Sequence, residues 1–408
     1  MSAFETAERR ALRETVRRFV QAEVLPHQDA WERAGEVPRD LHARAARAGL
    51  LGLAYPDAVG GGGGGPIEAL ILAEELHYAG AAGGVFAALF TSGIALPHLV
   101  AAGDPDQLER WVRPTLEGRL IGSLAVTEPD AGSDVAALRT TARRDGADFV
   151  VNGTKTYITS GARADFVVTV VRTGGGPPGS EGGGPLGSEG VAAGGVAAGG
   201  DAGGSGLSLL VVEKGTPGFT VTRRLEKMGW LCSDTAELSY VDVRVPATNL
   251  VGAENSGFAQ LAQHFVSERI GLAAQAYASA QRALDLTVEW CRLRETFGRP
   301  LISRQAVRHT LAEMARRVEV ARSYTRGVAE RAAGGESDLV LEACFAKNTA
   351  VEAGEWVVSQ AVQLHGGAGY LRESEVERQY RDMRIIGIGG GATEILTGLS
   401  AKLLGYGS

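Results

Sequence analysis

Several short segments of this chain carry residue types that can do chemistry. Phe265-Val266-Ser267-Glu268-Arg269-Ile270 sets a carboxylate beside a guanidinium. At a helix start that pair is simply favourable charge placement. In an apolar, closed pocket the same carboxylate is a base, because desolvation raises its basicity. Leu124-Ala125-Val126-Thr127-Glu128-Pro129-Asp130-Ala131-Gly132-Ser133-Asp134 reads as a strand end passing into a polar turn, with Thr127 and Ser133 as hydrogen-bonding hydroxyls. Tyr157-Ile158-Thr159-Ser160-Gly161 reads as strand with a half-buried aromatic. Arg294-Glu295-Thr296-Phe297-Gly298-Arg299-Pro300 ends a helical pattern with a glycine stop, and Arg294 offers planar, multi-donor recognition of phosphate. Gln363-Leu364-His365-Gly366-Gly367-Ala368-Gly369-Tyr370 is a second glycine stop with a tight loop.

Other patterns are accidents. Gly60-x-Gly62-x-x-Gly65 and Gly174-x-Gly176-x-x-Gly179 match a dinucleotide fingerprint only formally. That fingerprint needs a strand before it and a helix after it inside a βαβ unit. There is no Walker A lysine motif, no HExxH and no GxSxG, and no metal site is expected.

The elements that must position these residues follow from periodicity. Glu5 to Val24 has Leu12, Val16, Phe19, Val20 and Val24 at helical spacing, closed by Pro26. Pro66 opens a helix over Ile67 to Tyr78. Phe149-Val150-Val151, Asn152-Gly153 and Thr154 to Ile158 read as a hairpin, because both turn positions need positive φ. Strand patterns continue at Phe166–Val171, Leu207–Val212, Phe219–Val221 and Leu238–Val245. Between two of them, Gly174–Gly206 has 16 glycines and is expected to be a mobile insertion. Long helices are expected over Glu268 to Arg294, Ser303 to Ala333 and Ser337 to His365. The reading is mainly α with a β-domain: an N-terminal helical domain over 1–120, a middle antiparallel β-barrel or sandwich over 121–250, and a C-terminal four-helix bundle over 251–408.

Bulk properties narrow the class. A chain of 408 residues needs more than one core. A net charge of −7 argues against a nucleic-acid binder. The three cysteines form no CxxC pair, which fits a reducing cytoplasm. The N-terminus is charged within ten residues and lacks the apolar stretch of a signal peptide, and no run of 18 apolar residues predicts a membrane span.

Taken together and in order, these segments resemble the acyl-CoA dehydrogenase family over nearly the whole chain. The C-terminal run from Arg381 to Ile395 is similar to the family's end, where many members carry a catalytic glutamate at the position of Gly390. The isovaleryl-CoA and long-chain branches place that base on an earlier helix, and Glu268 stands at the matching position. The resemblance implies FAD as cofactor. Leu124, Val126, Thr127, Ser133, Tyr157, Thr159, Gln363, Gly366, Gly367, Thr393 and Glu394 would line it. Arg294, Thr296 and Phe297, with Gln305 downstream, would reach the flavin of a neighbouring subunit. Ser133, Arg269, Gly390 and Gly391 would meet the substrate.

The implied reaction removes a proton from Cα and a hydride from Cβ of an acyl thioester, giving a trans-2-enoyl product. Glu268 would take the proton and flavin N5 the hydride, while the Gly390 N–H contacts the thioester oxygen. Two positions depart from the common pattern. Tyr157 replaces a tryptophan, and Ala392 stands where relatives have a threonine. The resemblance also implies a homotetramer (a dimer of dimers) and an electron-transfer flavoprotein as acceptor, with neither nucleic acid nor membrane as partner. Alternatives are a thioester carried by an acyl- or aminoacyl-carrier protein, an oxidase that reduces O₂, and a non-catalytic flavoprotein.

Overall fold

The structure, a computed structural model, describes residues 3–174 and 206–406. The first third is helical: α1 (Ala7–Phe19), α2 (Gln28–Ala34), α3 (Asp40–Arg47), α4 (Pro66–Tyr78), α5 (Gly83–Phe90) and α6 (Ser92–Ala102). The Thr6 side chain caps α1 by accepting from the Arg9 amide. α1 passes into a π-turn over Val20–Val24, so the expected helix is present but not uniform. α4 starts at Pro66, whose missing N–H costs nothing at a helix start, and Glu68 accepts from Gly65 N at 2.8 Å. Gly83–Ala102 is long and apolar enough to cross a bilayer, but here it forms α5 and α6, and over half of its most apolar 18-residue stretch is buried inside the protein.

The middle of the chain is one sheet. Its strands are β1 (Gly122–Ala125), β2 (Thr141–Asp145), β3 (Asp148–Thr159), β4 (Phe166–Arg172), β5 (Leu207–Glu213), β6 (Phe219–Arg224), β7 (Thr235–Pro246) and β8 (Leu250–Val251). The order is β6-β7-β3-β2-β4-β5-β8, with β1 on β4. Most pairs are antiparallel, as expected, but β1 runs parallel to β4, and β2 touches β4 in parallel. The β2–β3 hairpin lies between β1 and β4 in sequence, so no tight turn forces those two to oppose.

Asn152-Gly153 is not the hairpin turn that its sequence predicts. β3 runs straight through it, and the turn lies at Gly146, with Asp145 opposite Asp148. The Asn152 side chain instead donates to Asp242 Oδ1 at 3.1 Å and accepts from Asp242 N at 2.9 Å, tying β3 to β7 at a register shift. Gly153 is required there, because a Cβ would come within 2.4 Å of Thr140 Oγ1. The expected insertion falls between β4 and β5, which pair antiparallel throughout their length. Residues 175–205 lie outside the described residues.

The last part contains α7 (Gly257–Leu293), α8 (Gln305–Ala333), α9 (Val340–His365), α10 (Glu375–Met383) and α11 (Thr393–Leu403). The three long helices pack together, and α4 packs onto α7 and α8 from the first third. Small buried residues let them approach: Ala273, Ala276, Ala280 and Ala283 from α7 share a core with Ala346, Ala350 and Ala353 from α9.

α7 begins eleven residues before the expected start at Glu268. Glu268 is therefore a helix-interior residue, and the charge-placement reading is corrected. Charge at a helix start acts within the first turn only.

Two buried networks fix the parts together. Glu74 of α4 accepts from Arg13, Arg326 and the Tyr277 hydroxyl, joining α1, α8 and α7. Asp382 of α10 accepts from Gly83 N and Trp230 N, joining α5, the loop before β7 and the bundle.

Candidate active site

Glu268 lies half-buried in mid-α7, one turn before Leu272 on the same face. Opposite that face is the glycine loop after α10. A Cβ built on Gly390 would stand 3.3 Å from Glu268 Oε1 and 2.2 Å from Leu272 Cδ1. Gly390 has φ +64° and Gly391 φ +95°. Space and backbone conformation thus both require glycine at 390, and the carboxylate of α7 occupies its surroundings.

Burial pushes the Glu268 carboxyl above its ordinary value, with Arg269 and Lys347 opposing. No described side chain hydrogen-bonds the carboxylate, and the Gly390 N–H has no protein acceptor among the described residues. A carboxylate with lone pairs uncommitted and a backbone donor therefore sit side by side. Arg269 turns inward and is buried, its guanidinium 5.1 Å from the centre of the Phe265 ring.

The loop is held from α9. Lys347, fully buried, donates from Nζ to the carbonyls of Gly389, at 2.7 Å, and Gly391. Asn348 Nδ2 donates to the Thr393 carbonyl at 3.1 Å, and Thr393 Oγ1 donates to the Gly387 carbonyl at 3.3 Å. Thr393 and Glu394 open α11, with Glu394 exposed.

The β-domain face adjoins this place. Phe265 of α7 packs into the same apolar cluster as Leu124 and Val126 at the end of β1. The Thr156 N–H donates to the Thr127 carbonyl at 2.9 Å, and Ser123 Oγ donates to the Thr159 carbonyl at 2.6 Å, so β1 and the end of β3 lie together. Ser133 lies exposed in the loop that follows.

A buried ion pair shapes that loop. Lys155 Nζ donates to the Val126 carbonyl and to Glu128 Oε1, both at 2.8 Å. Glu128 also accepts from the amides of Arg139 and Thr140. Burial pushes the Glu128 carboxyl up, but the Lys155 ammonium outweighs it and holds the group below its ordinary value.

Tyr157 sits at φ +61° with 68% of its surface exposed, turned outward at the β3–β7 register shift. Phe297 sits at φ +51° and is 97% exposed, at the tip of a hairpin pairing Glu295–Thr296 with Arg299–Pro300. Bare aromatic rings held in a sparsely populated conformation fit a flat ligand that covers them. Tyr157 on the β1–β3 face fits the flat ring of FAD, and Phe297 with the Arg294 guanidinium on the hairpin fits its ring and pyrophosphate chemistry at a separate place.

The hairpin with Arg294, Thr296 and Phe297 lies elsewhere in this chain. Arg294 caps the far end of α7, roughly 39 Å from Glu268 along the axis at about 1.5 Å per residue. Gln305, at the start of α8, Gln363, Gly366 and Gly367 are exposed. The ends of α7 and α9 meet where Trp290 stacks on His365 with ring centres 5.1 Å apart. The structure therefore makes two groups: Glu268, the glycine loop and the β1–β3 face; and the hairpin with the glycines after α9.

Sequence reasoning missed Lys155, Lys347 and Leu272. A signal existed for Lys347. It falls in helical phase with the buried Ala343, Ala350 and Gly354, where an ammonium needs internal partners.

The acyl-CoA dehydrogenase family models match three stretches: the N-terminal domain over residues 6–119, the middle domain over 123–184 and the C-terminal domain over 255–405. The mitochondrial long-chain specific acyl-CoA dehydrogenase of Rattus norvegicus is 36% identical over 397 residues, covering 97% of this chain and 86% of that protein. A crystal structure of a putative acyl-CoA dehydrogenase from Mycobacterium smegmatis superposes with TM-score 0.92 and 62% identity, covering all of both chains. The prolyl acyl carrier protein oxidase AnaB superposes with TM-score 0.86 and 28% identity, covering 98% of this chain and all of that one. With its domains matched in order and the site geometry above, this chain belongs to the acyl-CoA dehydrogenase family of FAD-dependent flavoprotein oxidoreductases.

Proposed function

We propose that this chain dehydrogenates an acyl-CoA between Cα and Cβ, with Glu268 as the base. The observation that carries the reading is the Glu268 carboxylate occupying the surroundings of Gly390, with no hydrogen bond committing it. Bound FAD supplies the hydride acceptor. The protein's part is proton removal and charge stabilisation. A Cα–H beside a thioester is a weak acid. Burial raises the basicity of Glu268, and the free Gly390 N–H can donate to the thioester oxygen as enolate charge develops. Leu272 and Phe265 keep the surroundings apolar. Thr127, Thr159 and Tyr157 would hold the flavin ring from the β-domain.

The separation along α7 supports a shared site. Arg294, Thr296 and Phe297 are too far from Glu268 to serve the same flavin within one chain, and the bare Phe297 and Tyr370 rings fit an interface. We therefore propose a homotetramer in which the hairpin serves a neighbour. We propose an electron-transfer flavoprotein as acceptor. The free, buried Cys232, Cys291 and Cys344 support a reducing cytoplasm.

The test is anaerobic titration of purified protein with a panel of acyl-CoAs, following flavin absorbance, with E268Q alongside. Bleaching of the parent and a flavin-loaded but unbleached E268Q is the expected result. E268Q bleached as fast as the parent removes Glu268 as base. A loaded parent that responds only to carrier-bound thioesters moves the substrate to a carrier protein.

A further inference from the structure

Lys347 has no role in the chemistry so far described, yet it is completely buried beneath the Glu268–Gly390 site. A buried ammonium is costly unless it is hydrogen-bonded. Among the described residues Glu268 and Glu394 face its ammonium only through space, and both of its hydrogen bonds go to backbone carbonyls, those of Gly389 and Gly391. The loop they belong to has three successive glycines, two at positive φ, whose own residues offer no side chain to hold them. Glycine backbone is the most free to wander.

The geometry of the peptide bond turns those contacts into an orientation. The Gly389 carbonyl and the Gly390 N–H share one planar trans peptide, so they point in opposite directions. Fixing the carbonyl onto Lys347 aims the N–H away from α9, and that N–H is the donor with no protein acceptor. The Gly391 carbonyl bond holds the loop again two peptides further on, so Gly390 lies between two fixed points. A charge-assisted donor holds both more firmly than a neutral one would.

We propose that Lys347 is a positioning residue for the reaction: its clamp on the Gly389 and Gly391 carbonyls sets the direction of the Gly390 N–H and keeps Glu268 facing it. This rests on the reading of Glu268 as base. The charged and titratable groups facing Lys347 are Glu268 and Arg269 from α7, Cys344 from its own helix and Glu394 from α11. Its ammonium is thus also a nearby cation for Glu268.

The test uses the flavin-loaded full chain and two variants, Lys347→Met and Lys347→Gln. Met removes both clamps; Gln can keep one donor. Amide hydrogen exchange in peptides spanning 385–396 should speed up about tenfold in K347M and less in K347Q. With a bleaching acyl-CoA, kcat should fall about a hundredfold, the scale of losing an oxyanion donor, while KM changes little. The acid limb of the kcat/KM pH profile should move up in K347M. A loaded K347M with parental exchange in 385–396 and parental kcat overturns the proposal. If K347M does not fold, K347Q carries the same readouts, and unchanged exchange there overturns it equally. E268Q separates the two readings. An active E268Q beside a loosened, slow K347M removes the base but keeps the positioning role. A dead E268Q beside a parental K347M does the reverse.

Discussion

Glu268 carries the sharpest expectations at the scale of single residues. As general base it should contribute about 10²- to 10⁴-fold, so E268Q should lose that much in single-turnover flavin reduction while keeping its flavin. The same substitution should affect stability with a defined sign. Burial raises the folded-state pKa above 4.5, so the folded state disfavours the ionised form. Below that ordinary value both states are protonated and E268Q should match the parent. As pH rises through the folded-state pKa the parent loses stability relative to E268Q, and the gap then stays constant. Chemical denaturation at pH 4 and pH 8 measures it. Moving the base should fail for a packing reason. In E268G/G390E the new Cβ meets Leu272 in a left-handed conformation, which alone costs about 1–2 kcal/mol. Activity should return in part only when Leu272→Ala is added, and a fully active double variant would contradict this packing argument. The Glu268 and Gly390 pairing was legible in the sequence because two family alternatives leave complementary residue types. Leu272 was not, since a leucine on a helix says nothing about which loop it faces.

Among the elements, the loop after β1 depends on Lys155. Lys155→Met leaves the Glu128 charge buried without its cation, a change that typically costs about 3–5 kcal/mol. The variant should unfold at lower denaturant and release FAD on gel filtration; retained flavin with unchanged stability would show the loop holding itself. This pair was hidden in the sequence, where a lysine beside threonines reads as solvated strand. Most of the strands were legible from β-branched and apolar runs, but β2 and β8 were not, because Thr141–Asp145 is mostly charged and Leu250–Val251 is only two residues long. The misplaced turn at Asn152-Gly153 has a specific cause: local preference offered a hairpin, but the Asn152 amide found a better partner in Asp242 across the sheet. A helical pattern was legible from about residue 255, but the start of α7 within it was set too late, at Glu268, for a related reason. Residues 257–267 include Gly257, Gln260, Gln263, His264 and Ser267, which blur the helical period although Leu261 and Phe265 pack inward.

For the molecule as a whole, the division into two groups of site residues predicts complementation. R294A should weaken flavin retention by about 10- to 100-fold, the range for losing a charged hydrogen bond, while the chain stays folded. E268Q should keep flavin and be dead. If the proposed sharing holds, mixed assemblies from co-expression would contain sites with Glu268 from one chain and Arg294 from another. Such preparations should regain activity that neither variant has alone. No regain after mixing would confine each site to one chain. The expectation of a shared site comes only through family resemblance, because composition and periodicity give the length of a helix but not what lies beyond its end.

The unbroken run of α7 has a further consequence. Glu268 and Arg294 ride on one rigid rod, so their relative azimuth is set by residue count. One residue added or removed between them rotates one end by about 100° and shifts it by about 1.5 Å. Evolution can recolour the faces of this rod freely, but it cannot change the length of that stretch without detuning two sites at once.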